Sequence, residues 1–281
     1  MAAPQDSRAQ AVKISATLQR RLRKEIITDA LVNRSFEGQI GGPEDSVKIL
    51  VANAASVFDY NGTILTPEQN VDAEDPTLSV DHKKGFAFTL SGNTNLVQYV
   101  EGFSNETFAE VLEQAEGYVL SKADPALTGQ MTAGDLTYDS TTDDVGSLFS
   151  QANGNLSETG TPRQGRFIVL PSTVAQDAYD VVAERDTVRG DQADRMGFIG
   201  MFRGLEVYEA PSGLFPTPAA NSNPVAHYGN RGFHTYADAV VNIQVLTEVP
   251  GLLSGTLVQG LHCAGSVITQ SESFGRIEIT G

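Results

Sequence analysis

Four histidines, His82, His227, His234 and His262, and a single cysteine, Cys263, are the residues of this 281-residue chain with the widest chemical range. No pair of histidines has HExxH spacing, and one cysteine builds no cysteine-type zinc site. His227 and His234 share the stretch HYGNRGFH, which leaves two readings open: a two-histidine metal site, or surface and hydrogen-bonded imidazoles. Cys263 lies in the apolar run GLHCAGSVI, which suits a buried, inert thiol better than a nucleophile. There is no disulfide framework to join. Ser172 follows a strand-like run but lacks the glycines of a nucleophile elbow, and helix capping accounts for it. No GxxxxGKS/T or GxGxxG phosphate cradle occurs. Asp135, Asp139, Asp143 and Asp144 cluster without calcium-loop spacing and read as a solvated acidic loop. Arg189-Gly190-Asp191 spells an adhesion tripeptide by chance, and the Asn-x-Ser/Thr triplets at Asn33, Asn61, Asn105 and Asn155 carry no meaning without a secretion route. The sequence therefore assigns no catalytic, cofactor-binding or metal residue and no cofactor, and the expectation is a protein that is not an enzyme.

Charge separates the chain into two parts. The formal net charge is −16, yet residues 1–24 carry Arg8, Lys13, Arg20, Arg21, Arg23 and Lys24 against Asp6 alone, a local +5 that leaves −21 on the remainder. An acidic body repels nucleic acid, whereas a basic arm touches phosphate or an acidic partner, or is simply a solvated helix face. No signal-like apolar core opens the chain and no apolar run reaches a membrane span, so the expectation is a soluble protein of the cytoplasm.

The elements read as short and mixed, with 27 glycines and 12 prolines as punctuation. Lys13 to Val32 has a narrow apolar stripe at helical spacing and would need a partner surface. Asp45 to Phe58 and Leu78 to Leu90 alternate as strands around the polar, acidic segment 59–77, which predicts a long hairpin with contacts on another molecule. Glu106 to Lys122 is the clearest helix, capped by Ser104 or Asn105, with Gly117 hinting at close packing. Residues 129–161 read as polar loop with a short helix over Val145–Ala152. Then Phe167 to Leu170 predicts a strand, Pro171 the first turn of a helix running to Glu184, and Phe198 to Ala210 returning strands with turns at Gly197, Gly200 and Gly204. Leu214 to Gly232 reads as loop, Val241 to Val245 as strand, Leu252 to Ile268 as strand or helix, and Ile277 with Ile279 as a last short strand.

Three stretches resemble the major capsid proteins of tailed bacteriophages, the Hong Kong 97-type capsid fold. ITDALVNRSF followed by DSVKILVANAASVFDY resembles the family's arm and first loop strand. GRFIVLPSTVAQDAYDVV followed by GFIGMFRGLEVYEAPSGL resembles its axial domain, and HTYADAVVNIQVL followed by VQGLHCAGSVIT its closing peripheral segment. The resemblance rests on element order and degenerate patterns over nearly the whole chain.

It implies an α+β, Hong Kong 97-like major capsid fold with N-arm, extended hairpin loop, peripheral domain with spine helix, and axial domain. The implied boundaries are an arm over 1–40, a loop over 41–90, a peripheral domain from 91–134 and 233–281, and an axial domain over 135–232. The implied function is structural: pentamers and hexamers closing an icosahedral virion shell around double-stranded DNA, assembled in the host bacterial cytoplasm. Implied partners are further copies of the chain, with scaffolding, portal and decoration proteins, and no membrane. Some family members crosslink through a loop lysine; Lys48, Lys83 and Lys84 fall in the loop region, but no motif assigns them that role. The competing readings are an encapsulin-like nanocompartment shell and a cytoplasmic α+β enzyme whose site is scattered in sequence.

Overall fold

The structure is a computed structural model, and it describes residues 27–49, 76–91, 110–111, 113–124, 135–185, 197–217, 223–246 and 255–281. In chain order the described elements begin with a helical turn α1 (Thr28–Leu31), strands β1 (Ser46–Lys48) and β2 (Thr77–Ser91), and helix α2 over residues 113–121. Strand β3 (Leu136–Asp139), helix α3 (Val145–Glu158), strand β4 (Arg166–Pro171), helix α4 (Ser172–Arg185) and strands β5 (Phe198–Phe202) and β6 (Leu205–Ala210) follow. The chain closes with β7 (Val225–Asn230), β8 (His234–Leu246), β9 (Gly255–Ile268) and β10 (Phe274–Thr280). They form a four-stranded sheet, β1-β2-β9-β8, and a six-stranded sheet, β3-β10-β7-β4-β6-β5. The fold is α+β and mostly sheet.

The six-stranded sheet holds the main core. β4 (RFIVLP) buries every residue, the pattern of a strand covered on both faces. It runs parallel to β6, and α4 supplies the crossover, burying Val174, Ala178 and Val182. β5 and β6 meet in a two-residue turn in which Arg203 (φ 51°) and Gly204 (φ 87°) both take positive φ, the signature of a type I′ hairpin. α3 buries Leu148, Phe149, Ala152 and Leu156. Its N-terminus is capped by Asp144, whose carboxylate accepts from Ser147 N at 2.9 Å. Phe149 packs on Phe202 with ring centroids 5.3 Å apart.

Several expectations need correction here. The helix expected over Val145–Ala152 runs on to Glu158, because Leu156 adds a further buried position. The stretch read as loop over Leu214 to Gly232 contains β7, fully buried at the centre of the sheet between β10 and β4. Pro171 ends β4 instead of opening the helix, and Ser172 is the first helical residue, its hydroxyl 2.9 Å from Ser212 Oγ. Gly117 faces Leu214 at an ordinary 3.7 Å for an added Cβ, so packing does not demand glycine. The last short strand expected at Ile277 and Ile279 is β10, which pairs with β3 and β7 in the six-stranded sheet.

The four-stranded sheet is thinner. Leu78 and Val80 of β2 pack with Ile40, Ile49, Ala237 and Cys263 in a small separate cluster. Leu252 to Ile268 resolves as strand from Gly255 onward, pairing along nearly the whole of β2 and β8. Asn33 forms an isolated parallel bridge with Thr235, its N–H donating to His234 O at 2.7 Å, so the segment after α1 lies along the outer edge of β8. The helical expectation over Lys13 to Val32 survives in the described residues as α1; its remainder, the strand beyond Ile49, the acidic segment 59–75, the caps Ser104 and Asn105, and Arg189-Gly190-Asp191 lie outside them.

Candidate functional site

The two-histidine question resolves into a buried joint between the sheets. His227 on β7 is fully buried and His234 on β8 nearly so, with ring centroids 6.1 Å apart. The turn Arg231–Phe233 that links their strands carries the chain from the six-stranded to the four-stranded sheet. Phe167 and Phe274 pack against His227 at 5.5 and 5.2 Å between ring centroids. His234 Nε2 lies 2.8 Å from Ser266 Oγ. Neither ring nitrogen of His227, and not Nδ1 of His234, has a hydrogen-bond partner among the described residues. Leaving such a group dry costs about 1–3 kcal/mol. Burial drives the His227 imidazole well below the usual histidine range, and His234 adds to the effect; burial, with a contribution from Lys122, lowers His234 to about 3. Among the described residues no group of three or more His, Cys, Asp or Glu side chains gathers as a metal shell.

His82 and His262 belong to a different set of polar contacts. Asp238 Oδ2 lies 3.2 Å from His262 Nε2, and Asp238 Oδ1 receives Arg34 Nη1 at 3.3 Å. His262 meets His82 edge-on at 6.3 Å, and His82 lies against the Tyr118 ring at 4.7 Å. Tyr118 donates its hydroxyl to Asp81 and accepts from Ser266 N at 3.0 Å, while Lys122 approaches Asp81 at 3.4 Å. Burial and then the Asp81 hydrogen bond push the Tyr118 phenol up, and burial, chiefly, lowers His82 to about 4. The set ties the segment after α1, β2, β8, β9 and α2 together. Its geometry is structural: Asp81 and Asp238 gather the donors, His82 lies tilted on the Tyr118 ring, and His82 Nε2 and His262 Nδ1 find no hydrogen-bond partner among the described residues.

The acidic loop is exposed at Asp143 and Asp144, as expected, and its carboxylates are also held by hydrogen bonds. Asp135 grips Arg276 through both oxygens, with Nη2 at 2.7 Å and Nε at 3.1 and 3.2 Å. Asp139 accepts from Thr141 N and Oγ1, which holds its carboxyl below the usual range, and Asp143 accepts from Asp139 N at 2.8 Å. Arg166 is a buried cation that sequence reasoning missed. Its guanidinium, 2% exposed with the residue, donates to the carbonyls of Asn153, Leu156, Thr161 and Pro162 and to Ser157 Oγ. It closes the C-terminal end of α3, where four carbonyls lack helical partners. Burial lowers its proton affinity. A lone arginine after a glycine is the only sequence signal it offered.

Cys263 is buried and its thiol is pushed up by burial, as befits an unreactive core position. Asn155 donates to Tyr228 Oη at 2.9 Å, and Asn33 Oδ1 accepts from Ser35, so both asparagines have structural roles. Lys48, Lys83 and Lys84 are exposed and stand on β1 and β2 of the thinner sheet. On that sheet Gly85, Ala87, Gln244, Gln259 and Leu261 line an open trough of about 520 Å³.

No family model matches the chain, and no curated protein does. Solved structures do. A chain from Mycobacterium phage Che8 superposes with a TM-score of 0.64 at 17% identity, over 90% of this chain and 91% of that one. The capsid structure of cyanophage P-SCSP1u gives 0.60 at 14% identity, over 92% and 88%. The capsid of an empty GTA particle gives 0.58 at 13% identity, over 90% and 89%. The fold is that of phage capsid chains. Coverage of both partners near nine-tenths makes this a likeness of whole chains.

Proposed function

We propose that this chain is a structural shell subunit: a major capsid protein that assembles as pentamers and hexamers into an icosahedral head enclosing phage DNA. The observation that carries the reading is the end-to-end fold likeness to phage capsid chains, covering 90% of this chain. In this reading residues 1–40 form the arm, 41–90 the extended loop, 91–134 with 233–281 the peripheral domain with α2 in its spine, and 135–232 the axial domain, to whose sheet β10 adds the last strand. The thin four-stranded sheet supports it physically. An element that buries one face in its own chain gains its second layer from a neighbour, and many weak contacts repeated around a closed shell add up. The acidic body keeps enclosed DNA from adhering. Scaffolding, portal and decoration proteins are its proposed partners, and assembly takes place in the host cytoplasm. No described helix is long and apolar enough to cross a membrane.

Deleting residues 61–75 tests the reading. The expected outcome is a folded subunit, by circular dichroism and thermal melting, that no longer forms rings or shells in electron micrographs. Normal shells from the deleted chain remove the loop from the account.

A further inference from the structure

Two of the chain's crossings between the sheets lie wholly within the described residues: the turn from β7 to β8, and the segment from β9 to β10. They run side by side. Thr269 donates to Phe233 O through its N–H at 2.8 Å and its hydroxyl at 3.0 Å, and Phe233 N donates to Asn230 O at 3.0 Å. His227, His234 and Phe274 pack where these connections meet the sheets. We propose that this joint is a hinge between the two sheets, and that protonation of the buried pair His227 and His234 loosens it.

The surroundings offer a proton no welcome. β4 presents Phe167 and has Val169 opposite His227; β10 presents Phe274 and has Arg276 opposite it. The carboxylate that reaches β10, Asp135, is already held by that arginine. β9 offers the neutral Ser266 hydroxyl, and the end of α2 brings Lys122 toward His234. The second imidazole, 6.1 Å away between ring centroids, further disfavours a charge on His227. A charged imidazole therefore gains by moving into water, and the exposed residues Arg231 and Gly232 of the turn are where the joint has least to break. Both groups bind protons more weakly folded than unfolded. Their stabilising effect is thus fully present above about pH 6.5, the ordinary value, and is lost progressively as pH falls below it.

The test uses the full chain. Imidazole nitrogen spectra are followed from pH 7.5 to pH 4, together with amide-exchange protection at Arg231, Phe233 and Thr269. The expected result is that both imidazoles stay neutral while the joint is closed, and that protection of these amides falls about tenfold per pH unit for each histidine below pH 6, while amides of β4 and α3 stay protected. In His227→Phe, whose ring suits the Phe167–Phe274 surroundings, one factor of ten per pH unit disappears. The proposal is overturned if His227 titrates near 6.5 with the joint still protected, if joint and β4 amides lose protection together, or if His227→Phe keeps the full pH dependence. Should that variant fail to fold, the wild-type titration and exchange pattern decide alone.

Discussion

β4 and β2 show two ways of using an apolar strand. β4 is enclosed: α4 packs against it and against β5 and β6, and all six of its residues are buried. β2 is fifteen residues long, yet Thr77, Ser79, Asp81, Lys83, Lys84, Gly85 and Ala87 are exposed, and only Leu78, Val80 and Phe86 are buried among its described side chains. The six-stranded sheet completes its core within one chain. Among the described side chains, the four-stranded sheet is buried on both faces only along residues 234–237 and 262–266, and it leaves the alternate residues of β2 exposed.

The contrast is open to direct attack. Phe149→Ala deletes a fully buried ring under α3 and is expected to cost about 3–5 kcal/mol, read as a lower urea midpoint at constant slope. Arg166→Lys keeps the charge but loses the planar fork that ties down the end of α3; the expected cost is about 2–3 kcal/mol, with amide exchange quickening first at residues 153–158. On the thinner sheet, Gly265→Ala drives a Cβ to 2.6 Å from Ser79 O, a backbone atom that cannot step aside. The expected cost there is about 1–3 kcal/mol, with loss of protection confined to β2 and β9. Leu246→Ala, at a side chain 40% exposed, is expected to shift the thermal midpoint by less than the equivalent of about 0.5 kcal/mol. A large effect at Leu246, or a negligible one at Phe149, would erase the difference between the two regions.

What was legible in the sequence follows the same division. β4, α4, β6 and β8 announce themselves through uninterrupted or periodic apolar runs, because burial on both faces or on one stripe leaves that imprint. β7 does not. VAHYGN holds histidine, glycine and asparagine in a strand buried on both sides, so neither alternation nor an apolar run marks it. The second half of α3 hides behind Asn153, Gly154 and Asn155, poor helix formers held in place by Leu156 and by Arg166 on the neighbouring carbonyls. The pairing of Asp135 with Arg276 spans 141 residues, and β10 reaches its place beside β3 only through the finished sheet. The proximity of His227 and His234 was readable from their spacing across a turn. The burial of His227 between two aromatic rings was not, since Phe167 and Phe274 come from distant strands.

The shell reading stands or falls on what the full chain does in solution. Size-exclusion chromatography with light scattering, followed by electron microscopy across a range of salt and crowding, measures this directly. Self-association into rings of five or six and closed particles is the predicted result. A single species of 30.0 kDa under every condition would contradict it.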